Sequence, residues 1–310
     1  MKYFILTLIL LVFVSCEARI PNSSKGLSVI TYNLYNMFDD IDNGNEHTAY
    51  HPSSGYTGRD FDKRIESYCT LFKKEEFDVD IIFFQEIESE RVLVSLLDKG
   101  MRRRGFQYYG IAKINNIPNT VGFISKIKPY EVKIHLAASD RPILSLEVIK
   151  DGEQYKIFNL HAKSNLGEEE ENKKERKALA RHINNLINPD EKVIILGDFN
   201  SSVSDDMLSL NQEEDSIFVS LDSKNIAYGS FYDATEDVYF PLNGDGTYFY
   251  MGKWYYYDKI LISSSIASNS NFSFKILNLD FLSKDGFPLR YDNSSECGYS
   301  DHFALRLDLK

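Results

Sequence analysis

Basic charge is scarce in this chain: 35 lysines and arginines stand against 46 aspartates and glutamates, leaving a net charge of −11. A protein that grips long duplex DNA carries a strong basic footprint. Here basic residues gather only at Arg102, Arg103 and Arg104, with Lys126 and Lys128 further on. The acidity weakens a nucleic-acid partner without excluding it. Bound divalent metal would offset part of the charge, and part lies in residues 168–171, read as the solvated start of a helix. Also missing are an internal repeat, a low-complexity tract and a linker. The 310 residues therefore read as one large domain, and 43% hydrophobic content is enough for a substantial core. No Gly-x-Ser-x-Gly elbow occurs, which argues against a Ser-His-Asp hydrolase, and His and Cys are not grouped as a zinc site would want.

A long apolar run occurs only at the N-terminus. Lys2, then FILTLILLVFV over residues 4–14, then Ser15 and Cys16, give the basic start, short apolar stretch and small residue of a secretory signal. The run is too short to span a bilayer well. Cys16 directly after it resembles the lipidated cysteine of a bacterial lipoprotein signal; the alternative is plain secretion with an incidental cysteine. On this reading residues 1–15 are a signal peptide and 16–26 a polar tether rich in Ser, Asn and Pro. Residues 27–310 form the exported domain, anchored at a membrane through Cys16 or secreted, and expected to be a monomer. Of the remaining cysteines, Cys69 lies on the apolar stripe of a helix and is expected to be a buried thiol, and its pairing with Cys297 cannot be read from sequence.

Residues 193–200 read VIILGDFN: four apolar residues of a buried strand, then Gly, then Asp198 and Asn200 spaced for one face. A carboxylate and an amide at the tip of a rigid strand suit a metal-bound phosphate and its attacking water. A turn in which Asp198 caps a helix is the alternative. The pattern recurs. LSVITY runs into Asn33, DIIFFQ into Glu86, and YKIFNL into His161, with Lys163 and Ser164 beyond; Asp258 sits in WYYYDKILIS, and Asp301 and His302 precede an alternating terminal strand. Singly, these are turn residues, caps, core histidines and surface charges. Their recurrence at strand ends favours one site, because strands packed side by side bring their ends onto one rim.

Apolar periodicity predicts helices over residues 60–74, with Asp60 as N-cap, 90–103 and 168–186, where His182 is a packing or surface residue. Strands are predicted over 121–125, 130–135 and 143–149, the last joined through Asp151-Gly152 to 155–161 as a hairpin. Helices separated by several antiparallel strands imply two packed sheets with helices outside, an α/β sandwich. Residues 205–239 are weakly patterned and read as excursions that would set substrate choice.

Six motifs, in order, resemble the endonuclease/exonuclease/phosphatase superfamily, the DNase I-like proteins: TYNLYN with Asn33, FFQEIE with Glu86, NLHAKS with His161, LGDFN with Asp198 and Asn200, YYYDKIL with Asp258, and YSDHFAL with Asp301 and His302. The resemblance implies a four-layer α/β sandwich over residues 27–310 and a phosphodiesterase that needs Mg²⁺ or Mn²⁺. It implies that Glu86 is a main metal carboxylate, helped by Asn33 and Asp301, and that Asp198 orients or deprotonates the attacking water while Asn200 contacts phosphate oxygens. His302, positioned by Asp258, would hydrogen-bond the scissile phosphate, and His161 would bind phosphate or assist the leaving oxygen. Oxygen ligands, a water-orienting carboxylate and nearby imidazoles also form a coherent set for phosphoryl transfer on chemical grounds alone.

Four other features stay open. Lys163, two residues past His161, is either a phosphate contact on the same strand face or a solvated lysine. Arg141 is either a bidentate phosphate contact or a loop arginine. Arg64 reads as a structural ion-pair residue, and the aromatic clusters TYFYMGKWYYY and QYYG as sandwich core in preference to base-stacking surfaces. The combination of motifs is most similar to bacterial exported nucleases. A lipid-headgroup phosphodiesterase of sphingomyelinase type, which would want an exposed apolar hairpin near the site, is the alternative, and an inactive binding lipoprotein is a further one.

Overall fold

The computed structural model describes residues 26–114, 117–137, 139–203, 206–235, 246–292 and 295–310. The expected signal peptide, Cys16 and the tether as far as residue 25 lie outside the described residues. In chain order the first strands are β1 (Ser28–Met37), β2 (Ile81–Ile87), β3 (Tyr108–Ile111), β4 (Thr120–Ser125), β5 (Glu131–Leu136) and β6 (Pro142–Lys150). Next come β7 (Glu153–His161), β8 (Val193–Asp198), β9 (Leu208–Ser209), β10 (Ile217–Ser220), β11 (Phe231–Asp233) and β12 (Tyr248–Tyr250). The last are β13 (Lys253–Tyr255), β14 (Asp258–Ser263), β15 (Phe272–Ile276), β16 (Ser283–Lys284), β17 (Phe287–Pro288) and β18 (Leu305–Leu309). The helices are α1 (Gly58–Leu71), α2 (Glu90–Lys99), α3 (Glu169–Asn184) and the single turn α4 (Ser264–Ala267) after β14.

One sheet has the order β15-β18-β1-β2-β4-β3 and the other β5-β6-β7-β8-β14-β11-β10-β9. Alternation along each strand builds the layers. In β8, Ile194 and Leu196 face Val29, Phe83 and Phe123 of the opposite sheet, while Val193 and Ile195 face Leu179 and Ile183 of α3. In β1 and β2, Ile30, Tyr32, Ile82 and Phe84 pack instead beneath α1 and α2. Each fully buried aliphatic or aromatic side chain contributes roughly 1.5–3 kcal/mol by leaving water. The result is the four-layer α/β sandwich.

Most neighbouring strands are antiparallel; the parallel pairs are β1 with β2, β7 with β8, and β10 with both β9 and β11, and the first two pairs each end at one common edge. That edge carries the site. Local boundaries differ from the sequence expectation for physical reasons. Thr57, not Asp60, caps α1; Asp60 is the third helical residue, and its carboxylate reaches back to the Thr57 N–H at 2.8 Å. Helix α2 stops at Lys99 before Gly100, so Arg102–Arg104 fall in a 3₁₀ turn. The stretch read as excursions supplies β9, β10 and β11, which extend the larger sheet.

Candidate active site

Strand register lines up three of the site's polar side chains. His161 ends β7 and pairs with Asp198 at the end of β8, and Asp198 pairs with Asp258 at the start of β14. Residues opposite one another in neighbouring strands point to the same face, so the three side chains emerge together. Gly197 makes this approach possible. Its φ of +131° is one that side chains rarely adopt, and a Cβ there would lie 2.0 Å from the Leu160 carbonyl oxygen.

The second group comes from a distortion in β1. Its pairing with β2 slips between Asn33 and Met37, and Tyr35 (φ 48°), Asn36 (φ 50°) and Glu86 (φ 57°) all adopt left-handed backbone. Such strain persists only where surrounding contacts hold it. Arg64 of α1 supplies them, donating to the carbonyls of Leu34 at 3.2 Å, Tyr35 at 2.7 Å and Asn36 at 2.7 Å, with its guanidinium over the Tyr291 ring. The ion pair expected of Arg64 is replaced by a clamp on backbone oxygens. The bulge turns the Asn36 N–H onto Glu86 Oε2 at 2.7 Å. The Asn33 amide nitrogen bridges Glu86 Oε1 and Asp198 Oδ2, 3.2 Å from each, while its oxygen accepts from the Tyr35 N–H. Asn33 thus presents a donor to the two carboxylates, which orients them, and not the oxygen a cation would want.

Electrostatics divide the imidazoles. Burial would lower the His302 imidazolium, but Asp258, hydrogen-bonded to its Nδ1 at 2.7 Å, together with Asp198 and Asp301, raises it to about 10. His302 is therefore a cation at neutral pH. His161 goes the other way: burial, then the charges of Arg141 and His302, hold it well below the ordinary imidazole value, so it is neutral. Its Nε2 lies 3.7 Å from Asp198 and 3.9 Å from Glu86, and its Nδ1 is buried without a hydrogen-bond partner. Burial, with Asp258 and Glu86 adding and His302 opposing, pushes the Asp198 carboxyl up to about 7. Burial and then Glu86 push Asp301 up to about 6.

Two acidic groupings could be considered for a cation. Ligand atoms of Asp198, Asp258 and His302 lie within 4.8 Å of one another. That triangle is already closed by the Asp258–His302 hydrogen bond, and a protonated imidazole has no lone pair to offer. Glu86 and Asp301 fit better. Both line the cleft, and the charge of Glu86 adds to burial in making charge on Asp301 costly, a repulsion that a divalent ion would relieve. Hard carboxylate oxygens match Mg²⁺ or Mn²⁺.

These elements enclose a cleft of about 460 Å³. Of the residues singled out in the sequence, Glu86, Arg141, His161, Asp198, Asn200, Asp301 and His302 line it, and Asn33 and Asp258 stand behind it. Asn200 is held by its Nδ2 donating to the Ala162 carbonyl at 3.1 Å. Arg141 reaches Asn119 at 3.4 Å, which in turn donates to Asn36. Lys163 does not line the cleft. Strand β7 ends at His161, so the two-residue alternation no longer applies, and Lys163 pairs with Glu175 of α3 at 3.2 Å. The aromatic stretch read as core is also reassigned: Tyr248, Tyr250, Tyr255 and Tyr257 line the cleft, and Tyr248 stacks on His302 with ring centres 4.5 Å apart. Asn36, Asn119 and Asn165 also line it and carried no signal in the sequence reading beyond the TYNLYN motif that holds Asn36.

No curated protein sequence matches the chain. Among solved structures, humanized D. rerio TDP2 carrying 14 mutations superposes with a TM-score of 0.60 at 16% identity, covering 93% of this chain and 100% of that one. D. rerio TDP2 complexed with single strand DNA product gives 0.56 at 15%, again over 93% and 100%. Sphingomyelinase C from Streptomyces griseocarneus gives 0.57 at 13%, over 93% and 100%. At these identities the likeness is one of fold. The sequence profile of the Endonuclease/Exonuclease/phosphatase family matches residues 28–310, nearly the whole chain. The protein belongs to the endonuclease/exonuclease/phosphatase family.

Proposed function

We propose that the protein is an exported, divalent-metal-dependent phosphodiesterase whose substrate is nucleic acid. The observation that carries the reading is the convergence on one cleft of a buried carboxylate near neutrality, Asp198, with a cationic imidazole, His302, and the carboxylate pair Glu86 and Asp301. Family membership and the DNA complex of D. rerio TDP2 support it. The N-terminal apolar run followed by Cys16 supports export and a lipid anchor.

Glu86 and Asp301 would hold the cation, Mg²⁺ or Mn²⁺, which when bound neutralises phosphate charge and aligns the ester. Asp198, ionised at and above about pH 7, accepts a proton from the water that attacks phosphorus. Asn200 is held in the cleft lining by the Ala162 carbonyl and by its N–H bond to Asp198 at 3.0 Å, where it would contact a phosphate oxygen. As the bond to the leaving oxygen breaks, charge grows on the phosphoryl oxygens, and His302, pinned by Asp258, donates a charge-assisted hydrogen bond to them. Neutral His161 offers an N–H at Nε2 to the phosphate or the departing oxygen.

A second reading has its own support. Hairpin β12–β13 stands at the cleft with Met251 at its tip 82% exposed, a feature suited to a lipid surface, and the fold resembles that of a sphingomyelinase. The deciding experiment is hydrolysis by the purified protein of single- and double-stranded DNA, RNA and sphingomyelin vesicles, with Mg²⁺, Mn²⁺ or EDTA. Metal-dependent cleavage of DNA or RNA is expected. Cleavage of sphingomyelin alone would replace the nuclease reading by the lipid one, and metal binding without turnover of any ester would leave a binding protein.

A further inference from the structure

The cleft has one wall made of tyrosine. Strands β12 and β13 pair Tyr248 with Tyr255, Phe249 with Trp254 and Tyr250 with Lys253. Side chains alternate along each strand, so the hairpin has two aromatic faces of different chemistry. Phe249 and Trp254 point away and pack with Phe287, while Trp254 also stacks on Phe303. Tyr248, Tyr250 and Tyr255, with Tyr257 just beyond, point into the cleft.

Their rings form a nearly parallel series that begins at His302. From the 4.5 Å stack of Tyr248 on His302, tilted by 22°, the series continues to Tyr250 at 6.1 Å and 12° and to Tyr257 at 6.0 Å and 25°. Tyr255 then stacks on Tyr257 at 4.7 Å and 28°. The wall is fixed to the site: Tyr248 forms a β-bridge with His302, the Phe303 N–H donates to the Thr247 carbonyl at 2.8 Å, and the Asp258 N–H donates to Thr247 Oγ1 at 3.0 Å. At the outer end Tyr250 is 44% exposed. A lipid chain would want the apolar face of the hairpin turned inward, and instead the face with hydroxyl groups lines the cleft, Tyr257 Oη accepting from Asn165 at 2.9 Å.

The chain's charge points the same way. Arg141 is the one lysine or arginine among the described residues lining the cleft, in a protein of net charge −11. Affinity for a phosphodiester chain therefore has little counterion release to draw on. Flat aromatic faces supply a different source, one open to any base that is free of its own stack.

Resting on the nucleic-acid reading above, we infer that the tyrosine face of this hairpin is a stacking subsite for an unpaired base adjoining the scissile phosphate, so that the substrate is single-stranded nucleic acid or a frayed end. Bases inside a duplex are already stacked on both sides and paired, and cannot occupy it without being extruded.

Two measurements on the full chain test this. The first is binding of a fluorescently labelled eight-nucleotide single strand in EDTA, followed by anisotropy, which needs no turnover. Tyr250→Ala and Tyr255→Ala are expected each to weaken binding by about tenfold, on the scale of one lost stacked base, while Tyr250→Phe and Tyr255→Phe bind as the wild type does. The salt dependence is expected to be shallow, a log–log slope of magnitude below about 2, because few phosphates are neutralised. The second is KM in Mg²⁺ for strands carrying one abasic residue beside the cleavage position. The wild type is expected to prefer the intact strand, and that preference to disappear in the Ala variants and remain in the Phe variants. Unchanged binding in both Ala variants, or a steep salt slope, would overturn the subsite. If the wild type binds the strand through the tyrosines but cleaves none, the subsite stands and the hydrolase reading falls; if it cleaves strands with no difference between Ala and Phe variants, the reverse holds.

Discussion

Replacing Asp258 by Asn removes the charge that keeps His302 protonated while preserving the shape of the site. In the wild type the imidazolium, raised to about 10 from an ordinary 6.5, stays protonated throughout the neutral range. With Asp258 neutral, the largest influence raising the imidazolium is gone, and burial is opposed only by the charges of Asp198 and Asp301, each with an oxygen 3.9 Å from Nε2, so the group falls back towards its ordinary value. At about pH 8 a group at the ordinary value of about 6.5 is only ~3% protonated, against ~99% at a pKa of about 10, so a full return would cost ~30-fold in kcat/KM through protonation alone. A pH-independent loss is added, because an amide cannot hold the imidazole as a carboxylate does. Near pH 6 the protonation part shrinks to under about twofold. The assay is kcat/KM for wild type and Asp258→Asn across the neutral range in saturating Mg²⁺. A ratio that widens roughly tenfold per pH unit above 7 is expected. A ratio independent of pH would refute the role given to the ion pair. Stability follows the same sign. A group raised in the folded state stabilises fully below its unfolded value of 6.5 and loses that contribution as pH climbs through about 10, so the Tm gap between the two proteins, measured in EDTA, is expected to close at high pH.

Gly197→Ala places a Cβ 2.0 Å from the Leu160 oxygen at a φ that side chains avoid, and is expected to cost more than ~3 kcal/mol, read as a large fall in denaturation midpoint. Lys163→Ala leaves only a partly exposed ion pair broken, so kcat/KM is expected within about threefold of wild type, while Arg141→Ala, which opens the cleft wall, raises KM by about tenfold. Arg176→Ala strands Asp206, its buried partner at 2.6 Å, and releases the Lys163 carbonyl at 2.9 Å; a loss of ~3–5 kcal/mol is expected by urea titration.

Much of this site was legible because chemistry at strand ends is conspicuous. VIIL before Gly197 reads as a strand buried on both faces, and it is one; the polar residue that ends such a run has nowhere to go but the rim. What sequence does not encode is which strands are neighbours. The row His161–Asp198–Asp258 depends on a parallel pairing of β7 with β8 and an antiparallel pairing of β14 with β8. Sequence leaves Lys163 open between a phosphate contact and a solvated lysine because two-residue alternation holds only within a strand, and β7 ends at His161. The structural role of Arg64 is legible in the sequence but its partners are not, because a buried guanidinium can be satisfied by carbonyl oxygens, which leave no mark in a sequence of side chains. The tyrosines read as core in the sequence because alternation identifies two faces of a hairpin without saying which one meets a cleft.

The most direct test of the site is turnover of bis-p-nitrophenyl phosphate by wild type and Asp198→Ala, each with Mg²⁺ or Mn²⁺ and with EDTA, at matched circular dichroism. Turnover that requires metal in the wild type and falls by at least about a hundredfold in Asp198→Ala is expected. Undiminished turnover in EDTA, or an Asp198→Ala protein as active as the wild type, would contradict it.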